Sequence, residues 1–311
     1  MSRDAQPCDR HRLAAVVVHF GTPGQTAACV AALRGSRRIA DHLVVVDNGS
    51  GDQGLRDRLA PLDWIETPRN LGFAGGADLG IRRVLDVGAS RVLLINSDAL
   101  VEPDCLGILE SALDQPGVGL VGPAIVSARD PATLESTGIA YRPLTGRMRL
   151  SGWGKLVPAA SSPAHLVDAL SGCALMIRRE VFDVVGLLPE EYFFGFEDLD
   201  FCLRARSAGF LALCAPAARV LHQGGASLAP DSPDRIYFAA RNHLLLARRA
   251  RPLPAPLSAL RAAHVMALNL AYVTLHSKVP RLAGARALAS GLRDYCAGRF
   301  GARAAPASRF V

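Results

Sequence analysis

One rhythm in the first hundred residues narrows the fold more than any other feature. A short apolar, β-branched run stops at a polar or glycine-rich turn, a helical pattern follows, and the unit recurs four times. Residues 13–19 end at Phe20-Gly21-Thr22-Pro23-Gly24, ahead of a helix over 25–33. Residues 43–46 end in Asp47-Asn48-Gly49-Ser50-Gly51-Asp52, ahead of a helix around 55–59. Residues 64–67 lead through Arg69-Asn70-Leu71-Gly72-Phe73-Ala74-Gly75-Gly76 into a helix to about 87. Residues 91–95 run into Asn96, Ser97 and Asp98, with a helix over 105–113 beyond. Such units predict an α/β fold with a mostly parallel sheet, right-handed crossovers and helices on its faces.

Open α/β sheets bind ligands just beyond the carboxyl ends of their strands. Asp98 therefore falls where a strand stops and a ligand begins. A carboxylate there can hold a hard divalent cation, and the cation can hold a diphosphate. The plainer role for Asp98 is as part of a turn leading to the next helix, since Pro103 and Asp104 follow closely. The glycines at 72, 75 and 76 suit close backbone approach to a phosphate or ribose at a helix start, or simply a tight strand-to-helix turn. No G-x-G-x-x-G follows the first strand, so a dinucleotide fingerprint is missing.

The second half is less regular. Residues 119–125 read as a strand, and 128–168, rich in Pro and Gly, as a long loop or hairpin excursion. Residues 167–177 are apolar but broken by Ser171 and Gly172. Next comes Phe193-Phe194-Gly195-Phe196-Glu197-Asp198, opening a helix. Acids at a helix start are favoured by its dipole, and carboxylates among aromatics also suit a general base of raised pKa. Residues 210–215 form a strand, and His222 follows a further apolar run. A histidine there is structural or a ligand.

Charge divides the chain. Residues 1–230 carry 22 Lys/Arg against 25 Asp/Glu, and residues 231–311 carry 13 against 3. Helical spacing over 235–249, 257–275 and 281–296 makes the tail a basic helical extension, with residues 1–230 as the main domain. The helices suit either an anionic membrane surface or packing on the body. No zinc-finger spacing or aromatic-flanked basic ladder points to nucleic acid. The seven cysteines include no CxxC, and the odd count with several in apolar runs reads as reduced core thiols in a reducing compartment. The first apolar run is too short and strand-like for a signal peptide, and no apolar run is long enough for a membrane span.

The ordered set V-V-V-H-F, V-V-V-D-N-G-S, N-L-G-F-A-G-G, L-I-N-S-D, S-G-C-A-L-M-I-R-R, F-G-F-E-D-L-D-F and H-Q-G-G-A-S resembles family 2 glycosyltransferases. Within them it is most similar to the rhamnosyltransferase-like branch of bacterial polysaccharide assembly. Y-F-A-A-R-N-H from Tyr237 and G-L-R-D-Y-C-A-G-R-F-G near the end share that similarity. Each motif alone is weak, and their order and spacing are specific.

The resemblance implies a GT-A (Rossmann-like) fold and a nucleotide-sugar donor. By it, Asp47 and Asn48 read the base, with His19 and Phe20 nearby. Arg69, Asn70, Gly72 and Gly75 line the nucleotide, and Asn96 and Ser97 face it. Asp98 is the last acid of the family's D-x-D metal motif, whose first acid is Asn96 here. His222 becomes the further ligand of Mn2+ or Mg2+. Ser171, Gly172 and Phe196 fall to the sugars, and Glu197 and Asp198 match the catalytic acidic pair, with Asp198 as base. The expected reaction is inverting transfer to a glycan or lipid-linked glycan in cell-surface polysaccharide synthesis. The place implied is the cytoplasm, peripherally on the inner membrane face. Two rivals remain. A sugar nucleotidyltransferase wants a basic glycine-rich loop after the first strand, where this chain has F-G-T-P-G-Q-T. A non-catalytic scaffold would be expected to lose Asp98, Asp198 or His222, and all three are present.

Overall fold

A computed structural model describes residues 12–159, 161–224 and 232–303. β1 (Leu13–His19), α1 (Pro23–Arg34), β2 (His42–Asp47), α2 (Gln53–Leu59), β3 (Asp63–Glu66), α3 (Gly72–Asp86) and β4 (Arg91–Asn96) follow the expected rhythm. A short β5 (Ala99–Val101), α4 (Cys105–Leu113) and β6 (Val118–Ser127) come next. The turn-rich stretch holds β7 (Leu134–Ser136), a hairpin of β8 (Ile139–Arg142) and β9 (Arg147–Leu150), and β10 (His165–Leu166). Then follow β11 (Ala174–Arg178), α5 (Arg179–Val185), a 3-10 turn at Glu190–Tyr192, α6 (Glu197–Ser207) and β12 (Leu211–His222). The tail is α7 (Pro233–Ala250), α8 (Ala255–Leu275) and α9 (Arg281–Cys296).

The main sheet runs β10-β12-β6-β11-β4-β1-β2-β3, with β5 on β12 and β7 on β6. β3, β2, β1 and β4 are parallel, and β12 is parallel to β6, while β11 lies antiparallel between β4 and β6. Strand order reverses at β1, so the carboxyl ends of β1 and β4 open a crevice.

β1 is apolar throughout because both its faces are covered. Ala14, Val16 and Val18 join the cluster under Ala77, Ile81 and Val84 of α3. Leu13, Ala15 and Val17 join the one holding Val30 and Leu33 of α1 and Leu106 and Leu109 of α4. α3 lies so close to the sheet that a Cβ on Gly80 would come within 2.3 Å of Val16 Cγ1. That fixes the side of the sheet on which the helix's glycine-rich start sits.

Three local readings change. β12 is one strand, where the sequence suggests a break after 215, because Pro216 falls in a register shift between Ala215 and Arg219. Only Ala174–Arg178 of the apolar stretch 167–177 is strand, and Ser171 and Gly172 form a loop. β5 is too short to show periodicity. In the tail, α7 buries Ile236, Tyr237, Phe238 and Ala240 and packs on α6 and α9. Among the described residues no helix is long and apolar enough to cross a membrane. The six described cysteines are free, five of them buried and Cys296 exposed.

Candidate functional site

The crevice is built first from turns. Asp47 closes β2 fully buried, and its two oxygens accept from the backbone N–H groups of Ser50 (2.7 Å) and Asp52 (2.9 Å). The turn 48–52 is thus folded back over its own strand end. Asn48 donates to Gly72 O (2.9 Å) and to Asn70 Oδ1 (3.2 Å), and its own Oδ1 accepts from Leu71 N. Gly49 adopts φ +89°, and a Cβ there would strike the Arg69 carbonyl carbon at 2.4 Å. A glycine is therefore required where the two turns touch. Arg69 is exposed at the rim, and Phe20 is half-buried at the end of β1. Gly72 starts α3 at φ +79° against the Phe193 carbonyl, and Gly75 lies one turn further on, against the Leu71 side chain.

His19 is fully buried at the end of β1. Its Nδ1 pairs with Thr26 Oγ1 at 2.7 Å, while Nε2 has no hydrogen-bond partner and lies 3.9 Å from Asp52 Oδ2. Burial lowers its pKa, against the pull of Asp47 and Asp52. Ser97 faces Thr22 across the crevice at 3.5 Å.

Asp98 sits beyond β4 with its Oδ2 3.4 Å from His222 Nε2, at the end of β12. β5 and β12 pair antiparallel with His222 opposite Ala99, which brings the two residues together. His222 Nδ1 lies 2.7 Å from Glu135 Oε2 on β7. Burial alone would lower the imidazole pKa, but the two carboxylates outweigh it and raise it to about 9. Among the described residues no group of three or more His, Cys, Asp or Glu side chains is arranged to hold a metal ion. Asp98 and His222 instead offer two donors, one oxygen and one imidazole nitrogen. The imidazole is oriented by a carboxylate behind it, a familiar support for metal-binding histidines. The remainder of H-Q-G-G-A-S, from Gly225, lies outside the described residues.

The acidic pair comes from the start of α6. Asp198 Oδ2 accepts from Gly172 N (2.7 Å), and its Oδ1 accepts from Leu199 N (2.7 Å). Burial raises its pKa against those hydrogen bonds. Glu197 is buried beside it with Oε2 unpartnered, and burial, then the Asp198 charge, pushes its pKa up to about 8. The loop carrying Gly172 also joins the two halves of the site. Cys173 O accepts from Asn96 N at 3.0 Å, one residue from the Gly172 N–H that holds Asp198.

The aromatic segment before the pair is strained. Phe193 (φ +60°) and Phe196 (φ +79°) both occupy backbone space that side chains rarely adopt. Phe194 N bonds Tyr192 O at 2.7 Å, a tight γ-turn about Phe193. Helix α7 holds this shape. Asn242 Nδ2 donates to the carbonyls of Tyr192 (2.8 Å), Phe194 (2.8 Å) and Gly195 (3.1 Å). Arg241, fully buried, donates to the carbonyls of Tyr192, Glu191 and Gly301. His243 stacks on Phe196 with ring centroids 5.3 Å apart.

The structure therefore brings Asn96, Asp98, His222, Ser171, Gly172, Glu197 and Asp198 into one connected group. Asp47, Asn48, Arg69, Asn70 and Gly72 form the adjoining turns. Sequence reading missed Glu135, hidden in an irregular stretch, and the support given by Arg241 and Asn242. The motif Y-F-A-A-R-N-H was the available signal for the latter two.

Comparison with known proteins extends this geometry. The sequence pattern of the family described as Glycosyltransferase like family 2 matches residues 11–243, ending at His243. The dTDP-rhamnosyl transferase RfbF of Shigella flexneri is 26% identical over 220 residues, 67% of this chain and 71% of that protein. The galactofuranosyltransferase GlfT1 of Mycobacterium tuberculosis is 27% identical over 250 residues, 73% of this chain and 79% of that protein. Among solved structures, GalNAc-T7 with UDP, GalNAc and Mn2+ aligns at TM-score 0.59 and 14% identity, over 88% of this chain and 59% of that one. The mannosyltransferase PcManGT of Pyrobaculum calidifontis with GDP-Man and Mn2+ aligns at TM-score 0.53 and 18% identity, over 93% and 83%. At these identities the structural likeness shows the fold.

Proposed function

The chain belongs to the glycosyltransferase like family 2, with a GT-A fold, and we propose that it is an inverting, metal-dependent transferase of cell-surface polysaccharide synthesis. It moves a sugar from a nucleoside-diphosphate donor to a hydroxyl of a glycan or lipid-linked glycan. The observation that carries this reading is the Gly172–Cys173 link. It ties Asp198 to the strand end that bears Asn96 and, two residues on, Asp98. A base and a diphosphate-facing carboxylate thus share one rigid frame.

The turns of Asp47–Asn48 and Arg69–Gly72, with His19 and Phe20, take the nucleotide, Arg69 bringing the positive charge. Gly75 acts from behind by letting α3 start there. Asn96 and Ser97 face the donor. Asp98 and His222 would hold Mn2+ or Mg2+, the imidazole giving up its proton to do so, and few protein ligands suit a hard cation that also takes oxygen from its substrate. Such a cation would supply charge neutralisation for the leaving diphosphate. Ser171, Gly172 and Phe196 border the sugars. Asp198 removes the acceptor hydroxyl proton as its oxygen attacks the anomeric carbon, and a single displacement inverts the configuration. Burial and the neighbouring Asp198 charge both raise the Glu197 pKa, which favours a single charge on the acidic pair. A nucleotide-sugar donor suits the cytoplasm, at the inner membrane face where the acceptor is lipid-linked. Rhamnose is the favoured sugar because the Shigella relative is named for it.

The test is a thermal-shift screen of dTDP-, UDP- and GDP-sugars against free nucleotides, with and without Mn2+. Metal-dependent stabilisation by one nucleotide class is expected. Equal behaviour with and without metal would remove the cation from the scheme, and no response to any nucleotide would remove the donor site.

A further inference from the structure

α8 is inside out. Its 21 residues make a rod of about 31 Å. The face turned to the body buries Val265 and Val273 and also carries hydrogen-bonding polar groups. Arg261 is buried and donates to the carbonyls of Pro143 and Arg251, and Asn269 donates to His243 Nδ1 at 3.1 Å. The face turned away holds Leu257, Leu260, Leu270 and Leu275 among exposed alanines, His264, Tyr272 and Thr274, with no Lys, Arg, Asp or Glu. Leu260 is 68% exposed and Leu275 75%, and Leu282 at the start of α9 adds another 63% exposed leucine beside them. A helix that already packs on the body and still leaves a row of leucines outward is suited to a non-aqueous neighbour.

Charge identifies that neighbour. Residues 235–293 contain ten Lys/Arg and no Asp/Glu, and eight of the ten, all but Arg241 and Arg261, lie at the surface. Two copies of so positive a surface repel each other, whereas an anionic lipid surface attracts it. The helix is unsuited to crossing a bilayer, which leaves it lying along one. We propose that the outward face of α8 is an in-plane anchor on an anionic bilayer, with Leu257, Leu260, Leu270 and Leu275 entering the acyl boundary. The anchor also reaches the site. Asn269 bonds His243, and His243 stacks on Phe196, the residue before Glu197. This inference does not depend on the transferase reading, and its test reads lipid binding rather than turnover.

The full chain is mixed with phosphatidylcholine vesicles containing about a third phosphatidylglycerol and floated on a density gradient, beside the double variant Leu260→Glu/Leu275→Glu. Both leucines are exposed, so folding is unaffected, and an unchanged melting temperature checks it. The wild type is expected to float and the double variant to bind about tenfold more weakly or worse. Wild-type protein that stays at the bottom, or a variant that floats equally well, overturns the anchor. Equal flotation on pure phosphatidylcholine overturns its electrostatic part. A wild-type dimer in lipid-free sedimentation, absent in the variant and without flotation, gives the face to a second copy instead.

Discussion

The side-chain nitrogen of Asn242 lies 2.8 Å from the carbonyl oxygens of both Tyr192 and Phe194. A helix beyond the main sheet thereby grips the turn that delivers the acidic pair. These bonds hold a turn in which Phe193, Gly195 and Phe196 all take positive φ. Asn242→Ala takes the side-chain donor from the Phe194 and Gly195 carbonyls, while Tyr192 keeps Arg241, at a cost of about 1–3 kcal/mol. The turn then relaxes and Asp198 loses its aim, so kcat falls about tenfold or more while donor KM changes little. Steady-state kinetics beside a melting curve decide it. An unaltered kcat would make Asn242 irrelevant to the site.

Asp198→Asn keeps the shape and an acceptor for Gly172 N but removes the base. Turnover should drop by about a hundred- to ten-thousand-fold, with the donor's thermal shift intact. Wild-type activity should rise with pH, since the base works deprotonated. The midpoint should lie above the ordinary carboxylate range because burial raises Asp198. Near-normal turnover in the variant would move the base elsewhere.

Much of this site is visible in one dimension because strand ends and turns are local events. Asp47, Asn48 and Asp98 each follow an apolar run directly, so their place at the sheet's carboxyl edge can be read from pattern alone. Direction and pairing cannot. Nothing in Ala174–Arg178 reveals that β11 runs antiparallel between β4 and β6, yet that reversal puts Cys173 O beside Asn96 N. Glu135 escaped because β7 is three residues long in a stretch without periodicity. The tail's basic composition suggested surface, and hid that Arg241 and Asn242 are buried and donate to the carbonyls of the turn before the acidic pair.

Glu135→Gln tests the third member of the chain from Asp98 through His222. Glutamine preserves size and an oxygen acceptor but loses the charge that orients the imidazole. Metal-dependent donor binding should weaken about 10- to 100-fold, as it does when a carboxylate behind a metal-bound histidine is neutralised. Titration of Mn2+ at fixed nucleotide, read by thermal shift, measures it. Asp98→Ala in the same assay should abolish the metal dependence. If neither variant changes the titration, the cation binds at another place.

Asp78 offers a pH test remote from the chemistry. It sits buried on α3, accepts from Leu188 N at 3.1 Å and so ties α3 to the segment leading into the aromatic turn. Burial drives its pKa from 3.8 to about 7, opposed by that hydrogen bond and reinforced by Glu190. Below about pH 4 both folded and unfolded chains hold the proton, and the group costs nothing. Between about pH 4 and 7 the unfolded chain gives it up while the folded chain retains it, so stability falls as pH rises through that window. Asp78→Asn keeps the acceptor for Leu188 and removes the titration. Its stability relative to wild type should therefore increase steadily from about pH 4 to pH 8, read as urea midpoints. A constant difference across that range would mean that Asp78 is ionised in the folded protein, with a cation or water compensating its burial.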